Sequence, residues 1–175
     1  MSRNRSRSFI TAEKPASYDE TLDQSALPNL NSDWVYYPGA WVVHIFLIFC
    51  VKILFSSIPG VSSEASWTLT NLSYMVASFL MFHWVKGVPW EFNSGAYDNL
   101  TMWEQIDHGA QFTPAKKYLM AVPTVLFLLS THYTFYDAVT FMINFTALLI
   151  VLIAKLPQLH RVRLFGINKF DETDG

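Results

Sequence analysis

Four long apolar runs, at 39–57, 66–85, 117–131 and 138–156, divide the chain, and nearly every charged residue falls between or outside them. A bilayer core takes about 20 mostly apolar residues in helical form, so each run is predicted to be a membrane-spanning helix. "AWVVHIFLIFCVKILF" and "TALLIVLIAKL" are apolar on every face, a pattern that a soluble amphipathic helix avoids. The third run is the shortest but starts well: Thr113 suits the helix cap and Pro114 the first helical position. Pro123 predicts a kink that neighbouring helices must shield. Between the second and third runs, "GVPWEFNSGAYDNLTMWEQIDHGAQF" is too long for a simple connection. Thr101 and Glu104 have capping-box spacing there, opening a short helix whose Met102, Trp103 and Ile106 share a side. That helix is predicted to lie on the cytosolic face, with Trp90 and Trp103 at headgroup depth.

Lysine and arginine set the orientation. Arg3, Arg5, Arg7 and Lys14 precede the first run, Lys86, Lys116 and Lys117 bracket the central loop, and Lys155, Arg161, Arg163 and Lys169 close the last run or follow it. The other two connections, "SIPGVSSEA" and "HYTFYD", have neither residue type. The predicted fold is therefore an all-α membrane protein of four transmembrane helices with cytosolic N- and C-termini and a short amphipathic helix between the second and third spans. Residues 1–28 form a flexible cytosolic arm, 29–170 the membrane domain and 171–175 an acidic tail.

A net charge of -2 supplies no field for nucleic acid. Cys50, the one cysteine, lies in an apolar run and reads as a small buried hydrophobe, with no disulfide framework or thiolate metal cluster available. The first residues lack the apolar core and cleavage site of a signal peptide, and the acidic residues from Glu13 to Asp23 argue against a mitochondrial transit peptide.

Candidate chemistry is sparse. His132 and Asp137 in "HYTFYD" have the spacing with which some membrane acyltransferases orient a catalytic imidazole, which makes a small acyltransferase the alternative function. The five histidines are scattered rather than clustered, so neither a metal nor another cofactor is expected. Lys52, Asn71 and Asn144 fall at similar depth: either they form a translocation site, or the asparagines bond across helices while Lys52 snorkels to the interface. Asn31, in "LPNLNSDW", suits a turn or helix cap, and equally an amide presented at headgroup level to a lipid bearing amide and hydroxyl groups.

Several long strings occur in order: "WTLTNL", "FHWVKGVPWEFNSGAYDNLTMWEQID", "FTPAKKYL" and "KLPQLHRVRLFGINKF". On these the chain, from about residue 29 to 170, resembles the Orm/ORMDL family of endoplasmic-reticulum membrane proteins, the fungal members especially. The resemblance implies a non-catalytic subunit that binds serine palmitoyltransferase, through its catalytic and small subunits, and restrains sphingoid-base synthesis in response to ceramide. It also implies that Asn31 contacts ceramide. Met81 and Met102 stand where animal members have phenylalanine and histidine, and methionine packs against acyl chains without replacing an imidazole hydrogen bond. The arm is similar to fungal arms that are phosphorylated. Arg3, Arg5, Ser8 and Phe9 fit a basophilic-kinase pattern, making Ser8, with Ser6 beside it, the expected phosphorylation sites.

Overall fold

The computed structural model describes residues 10–12, 24, 28–88 and 96–164. Ser6, Ser8, Trp90 and the acidic tail lie outside the described residues. Helices build nearly all of the described chain. A first turn, α1 (Leu30–Asp33), is capped by the Asn29 side chain and runs on into a 3-10 turn at Trp34–Tyr36. The chain then bends by 90° into α2 (Ala40–Ser56). Gly39 makes the bend at φ 85°, a left-handed conformation open to glycine without a Cβ clash. The helix α3 (Ser63–Phe79) ends in a π-type turn at Leu80–Trp84, and α4 (Met102–Gln105) is a single turn. The long helices α5 (Pro114–Tyr133) and α6 (Ala138–Ala154) complete an up-and-down bundle in which α3 packs against α2, α5 and α6.

The four long helices fall on the four predicted runs, and the predicted caps are in place. The Thr113 hydroxyl accepts from the Lys116 N–H with Pro114 just inside, and Glu104 Oε2 accepts from the Thr101 N–H at 2.8 Å. Three long helices have 17 residues and α5 has 20. Among the described residues no single helix is both long and apolar enough to cross a membrane by itself. Only Leu30–Tyr36 with Ala40–Ser56 passes that test, as a bent pair.

The bundle is apolar without, and within it polar side chains are set among an apolar core that includes Met75, Phe127, Leu148 and Val151. On α2 only Ala40 and His44 are buried, while Ile45, Phe46, Phe49 and Leu54 are each 61–62% exposed. Inside, Asn71 on α3 donates to Asn144 Oδ1 on α6 at 2.8 Å, and Asn144 donates to Ser130 Oγ on α5 at 3.3 Å; both asparagines are fully buried. The asparagines thus bond across helices, as one of the two readings held. Lys52 turns instead toward its helix end, donating to Ser56 and Ser66 at 2.6 and 2.9 Å over the Trp67 ring. Cys50 is exposed on the outer face of α2, not buried: that helix has lipid-type residues on most of its circumference, so an apolar run does not say which positions face inward.

One further expectation is corrected. Trp103 does not face outward from the bundle: it is 4% exposed and packs end-on to Phe82 and beside the ammonium groups of Lys116 and Lys155. Ile106 behind it is fully buried, so the side shared by these residues seals the bundle end. Within residues 1–28 a strand, β1 (Ile10–Ala12), pairs antiparallel with β2 (Val162–Leu164), and Gln24 exchanges hydrogen bonds with Ala96 and Tyr97.

Candidate functional site

One end of the bundle holds the start of α2, the end of α3, the one-turn α4, the start of α5 and the end of α6. There the chain concentrates amides. Gln105 donates through Nε2 to the carbonyls of Gly87 and Leu100 at 2.9 and 3.0 Å, which turns its Oε1 toward α1. That oxygen accepts from Asn29 Nδ2 at 2.9 Å and from Asn31 Nδ2 at 3.0 Å. Asn31 Nδ2 also approaches the Gly87 carbonyl at 3.3 Å and Met102 Sδ at 3.7 Å. The close approach requires glycine at 87, where φ is 71° and a Cβ would press on Asp98.

The network assigns the two ends of the Asn31 amide. Its nitrogen is committed to protein acceptors, and no hydrogen bond among the described residues reaches its Oδ1. Asn31 is half-buried, so this acceptor stays accessible. The helix cap is Asn29, whose side chain accepts from the Asn31 N–H at 3.1 Å. Met102 stands against Asn31, whereas Met81 lies on the exposed surface of the π-type turn.

Glu104 anchors α4 from below. It is 5% exposed and accepts from Arg163 through both oxygens, at 2.7 and 2.9 Å, as well as from the N–H groups of Thr101 and Arg161. Burial pushes its carboxyl up, but the Arg163 guanidinium and the two backbone donors outweigh burial and hold it below the usual glutamate range. Asp107, in a left-handed turn at φ 54°, accepts from the Tyr36 and Thr113 hydroxyls. Its carboxylate pushes the Tyr36 phenol up to about 12, so that hydroxyl stays a donor. These bonds join α1, α4, the start of α5 and β2 into one polar frame around Asn31.

The acyltransferase pair is not assembled. Asp137 caps α6, accepting from the Thr140 N–H at 2.9 Å, which lowers its carboxyl below the usual range. His132 meets the Tyr133 ring and makes no hydrogen bond to Asp137. An imidazole without an orienting carboxylate lacks the geometry of a general base.

Sequence reasoning reached Asn31 but missed Gln105, Asn29, Gly87, Glu104 and Arg163 as its supports. The signal for Gln105 was present in "WEQ", where a capping-box glutamate is followed by a second polar residue that a one-turn helix must turn inward. Nothing local in "RVRL" marks Arg163 as the partner of Glu104.

A helical bundle with hydrogen-bonded polar residues in its core, hydrocarbon-type side chains outside and amides gathered at one end fits a membrane protein. The family model described as "ORMDL family" matches residues 29–163. An uncharacterized protein of Schizosaccharomyces pombe is 56% identical over 99% of this chain and 93% of its own length. Protein ORM1 of Saccharomyces cerevisiae is 47% identical over 93% of this chain and 73% of its own length. The human ORM1-like protein 2 is also 47% identical, over 75% of this chain and 87% of its own. The chain belongs to the Orm/ORMDL family, and family and hydrophobic helices together fit a membrane protein.

Proposed function

We propose that this chain is a non-catalytic regulator of sphingolipid synthesis: a four-span subunit of the endoplasmic-reticulum membrane that binds serine palmitoyltransferase and restrains it when ceramide occupies the Asn31 site. Family membership supports the general role, and the observation that carries the lipid reading is the accessible Oδ1 of Asn31. Ceramide offers an amide N–H and hydroxyl groups, all of them donors. An acceptor held in place by Gln105 and Gly87 suits them without a change in the protein. The reading is tested by co-purification from mild detergent followed by enzyme assay with and without added ceramide. A chain that co-purifies with no such enzyme would end it.

The four-span arrangement has its own expected outcome. A glycosylation acceptor inserted between Ser57 and Ala65 is expected to be modified, and one near Asn93 is not, because only the first lies in a connection without lysine or arginine. The reverse pattern would put the arm out of reach of a cytosolic kinase.

Phosphorylation of Ser8 and Ser6 by a basophilic kinase is the proposed release. Ser8 lies two residues before β1, whose pairing with β2 ties the arm to the frame around Glu104. Each phosphate adds about -1.5 to -2 at neutral pH beside Arg3, Arg5 and Arg7, reversing the local charge that favours acidic surfaces. Stoichiometric phosphorylation of the arm is expected to relieve inhibition with the complex intact, and Ser6→Ala/Ser8→Ala to prevent that relief. Unchanged activity of the phosphorylated complex would leave the arm without a switch.

A further inference from the structure

Beside Asn31's neighbour Met102, the indole of Trp103 has two buried ammonium groups near its ring, Lys116 Nζ at 5.4 Å and Lys155 Nζ at 5.2 Å. Lys155 is 1% exposed and donates to the Leu119 carbonyl at 2.8 Å and to Ser78 Oγ at 3.4 Å, leaving one of its three protons over. Lys116 is 2% exposed, and its Nζ has no hydrogen bond among the described residues. A buried ammonium contacted only by a ring face is an unfavourable arrangement, because the π system replaces a fraction of the hydration it has lost.

Both lysines line a groove of about 500 Å³ between α5 and the end of α6. Exposed Lys117 stands at the groove as well, and Met120, Ala121, Thr124 and Val125 carry it down α5 toward the bundle middle. The neighbouring carboxylates are engaged elsewhere: Glu104 by Arg163, Asp107 by the Tyr36 and Thr113 hydroxyls. The groove is therefore cationic at its head and apolar along its length, with head and length in the order that a lipid presents them.

We infer that the groove between α5 and α6 is a binding site for an anionic phospholipid, whose phosphate is received at the Lys116 and Lys155 end, beside Trp103, and whose acyl chain lies along Met120 to Val125. The shape of the charge selects this occupant. Three ammonium groups in a groove whose lining has no carboxylate favour a phosphate, and the apolar floor excludes a ligand that is polar throughout. The site is separate from Asn31 and independent of any enzyme partner, although Met102 and Trp103 of the same helical turn face the two sites.

The test uses the full chain in neutral detergent, with dioleoyl phosphatidic acid or dioleoyl phosphatidylcholine added, read by native mass spectrometry and by thermal unfolding. The anionic lipid is expected to be retained roughly tenfold to a hundredfold better, the ratio that charge-assisted hydrogen bonds to a phosphate supply. Lys116→Met is expected to abolish that preference while raising the melting temperature of the lipid-free chain, because it removes an ammonium buried without a hydrogen bond. A ligand group and a structural strut separate here: if Lys116→Met lowers the lipid-free melting temperature and leaves the preference unchanged, Lys116 is a strut and the inference fails. Should that variant not fold, Ala121→Trp, which fills the exposed groove and leaves Lys116 and Lys155 in place, must abolish retention. Equal retention of the two lipids overturns the inference, as does equal stabilisation by inorganic phosphate, which would identify a small-anion site.

Discussion

Replacing Glu104 by glutamine is expected to cost about 3–5 kcal/mol of stability, the usual effect of removing one partner of a buried ion pair. Three attachments meet at this carboxylate. Oε1 of Glu104 receives Arg163 and the Arg161 N–H while Oε2 receives Arg163 and the Thr101 N–H, so glutamine, with one oxygen and no charge, can keep only one of these two pairs and turns an amide N–H toward the other. Arg163→Met should be similarly damaging, and the double variant less so than the sum, because it leaves no buried charge unpaired. Chemical unfolding in detergent measures all three. Single variants as stable as the parent chain would mean that the pair does not hold the bundle end together. Acid should act as the substitution does. The folded carboxyl is held below its ordinary value, so its contribution is complete above the unfolded glutamate range and is lost as pH falls through the depressed folded value. The melting temperature of the parent chain is expected to drop in that acidic window, with the Glu104→Gln variant showing a flatter dependence.

The second large effect is expected at Asn31. Removing its side chain takes away the accessible Oδ1 and leaves a donor of the proposed ceramide without its acceptor, a cost of about 1–3 kcal/mol, or roughly five- to a hundredfold in ceramide sensitivity. Asn31→Ala is expected to co-purify with serine palmitoyltransferase and to resist added ceramide. Asn31→Asp makes a sharper comparison: it keeps an acceptor but loses the donor that Gln105 and Gly87 hold, so the acceptor is no longer fixed. A response that falls in the alanine variant and is weakened but present in the aspartate variant supports an acceptor role. Unchanged ceramide inhibition in both would reduce Asn31 to a residue that follows the Asn29 cap.

The long helices were legible because the feature that makes them, a long run of mostly apolar residues, is local. So were the caps, since Thr113 with Pro114 and Thr101 with Glu104 act within one turn. What the pattern did not carry is the inward direction on a helix that is apolar all round. Cys50 was misplaced for that reason. Trp103 was misplaced for another: an amphipathic turn looks the same whether its apolar side meets lipid or closes a core, and the lysines that decide the matter are supplied by α5 and the end of α6. The frame around Asn31 was least legible. Its bonds join residues more than 50 positions apart, such as Asn31 with Gln105 and Glu104 with Arg163, and a single sequence has no periodicity at that range.

The pairing of Glu104 with Arg163 has a consequence for the order in which the molecule is made. A one-turn helix has too few internal hydrogen bonds to persist alone, and the residue that secures α4 is synthesised after all four long helices. The amide frame therefore lacks the charged anchor beneath it until residue 163 has been made, even with α2 and α3 already formed. The bundle end is completed last, when β2 emerges and draws Glu104 and the β1 segment together. A chain cut short before Arg163 would keep its long helices and lose both the frame and the arm's attachment.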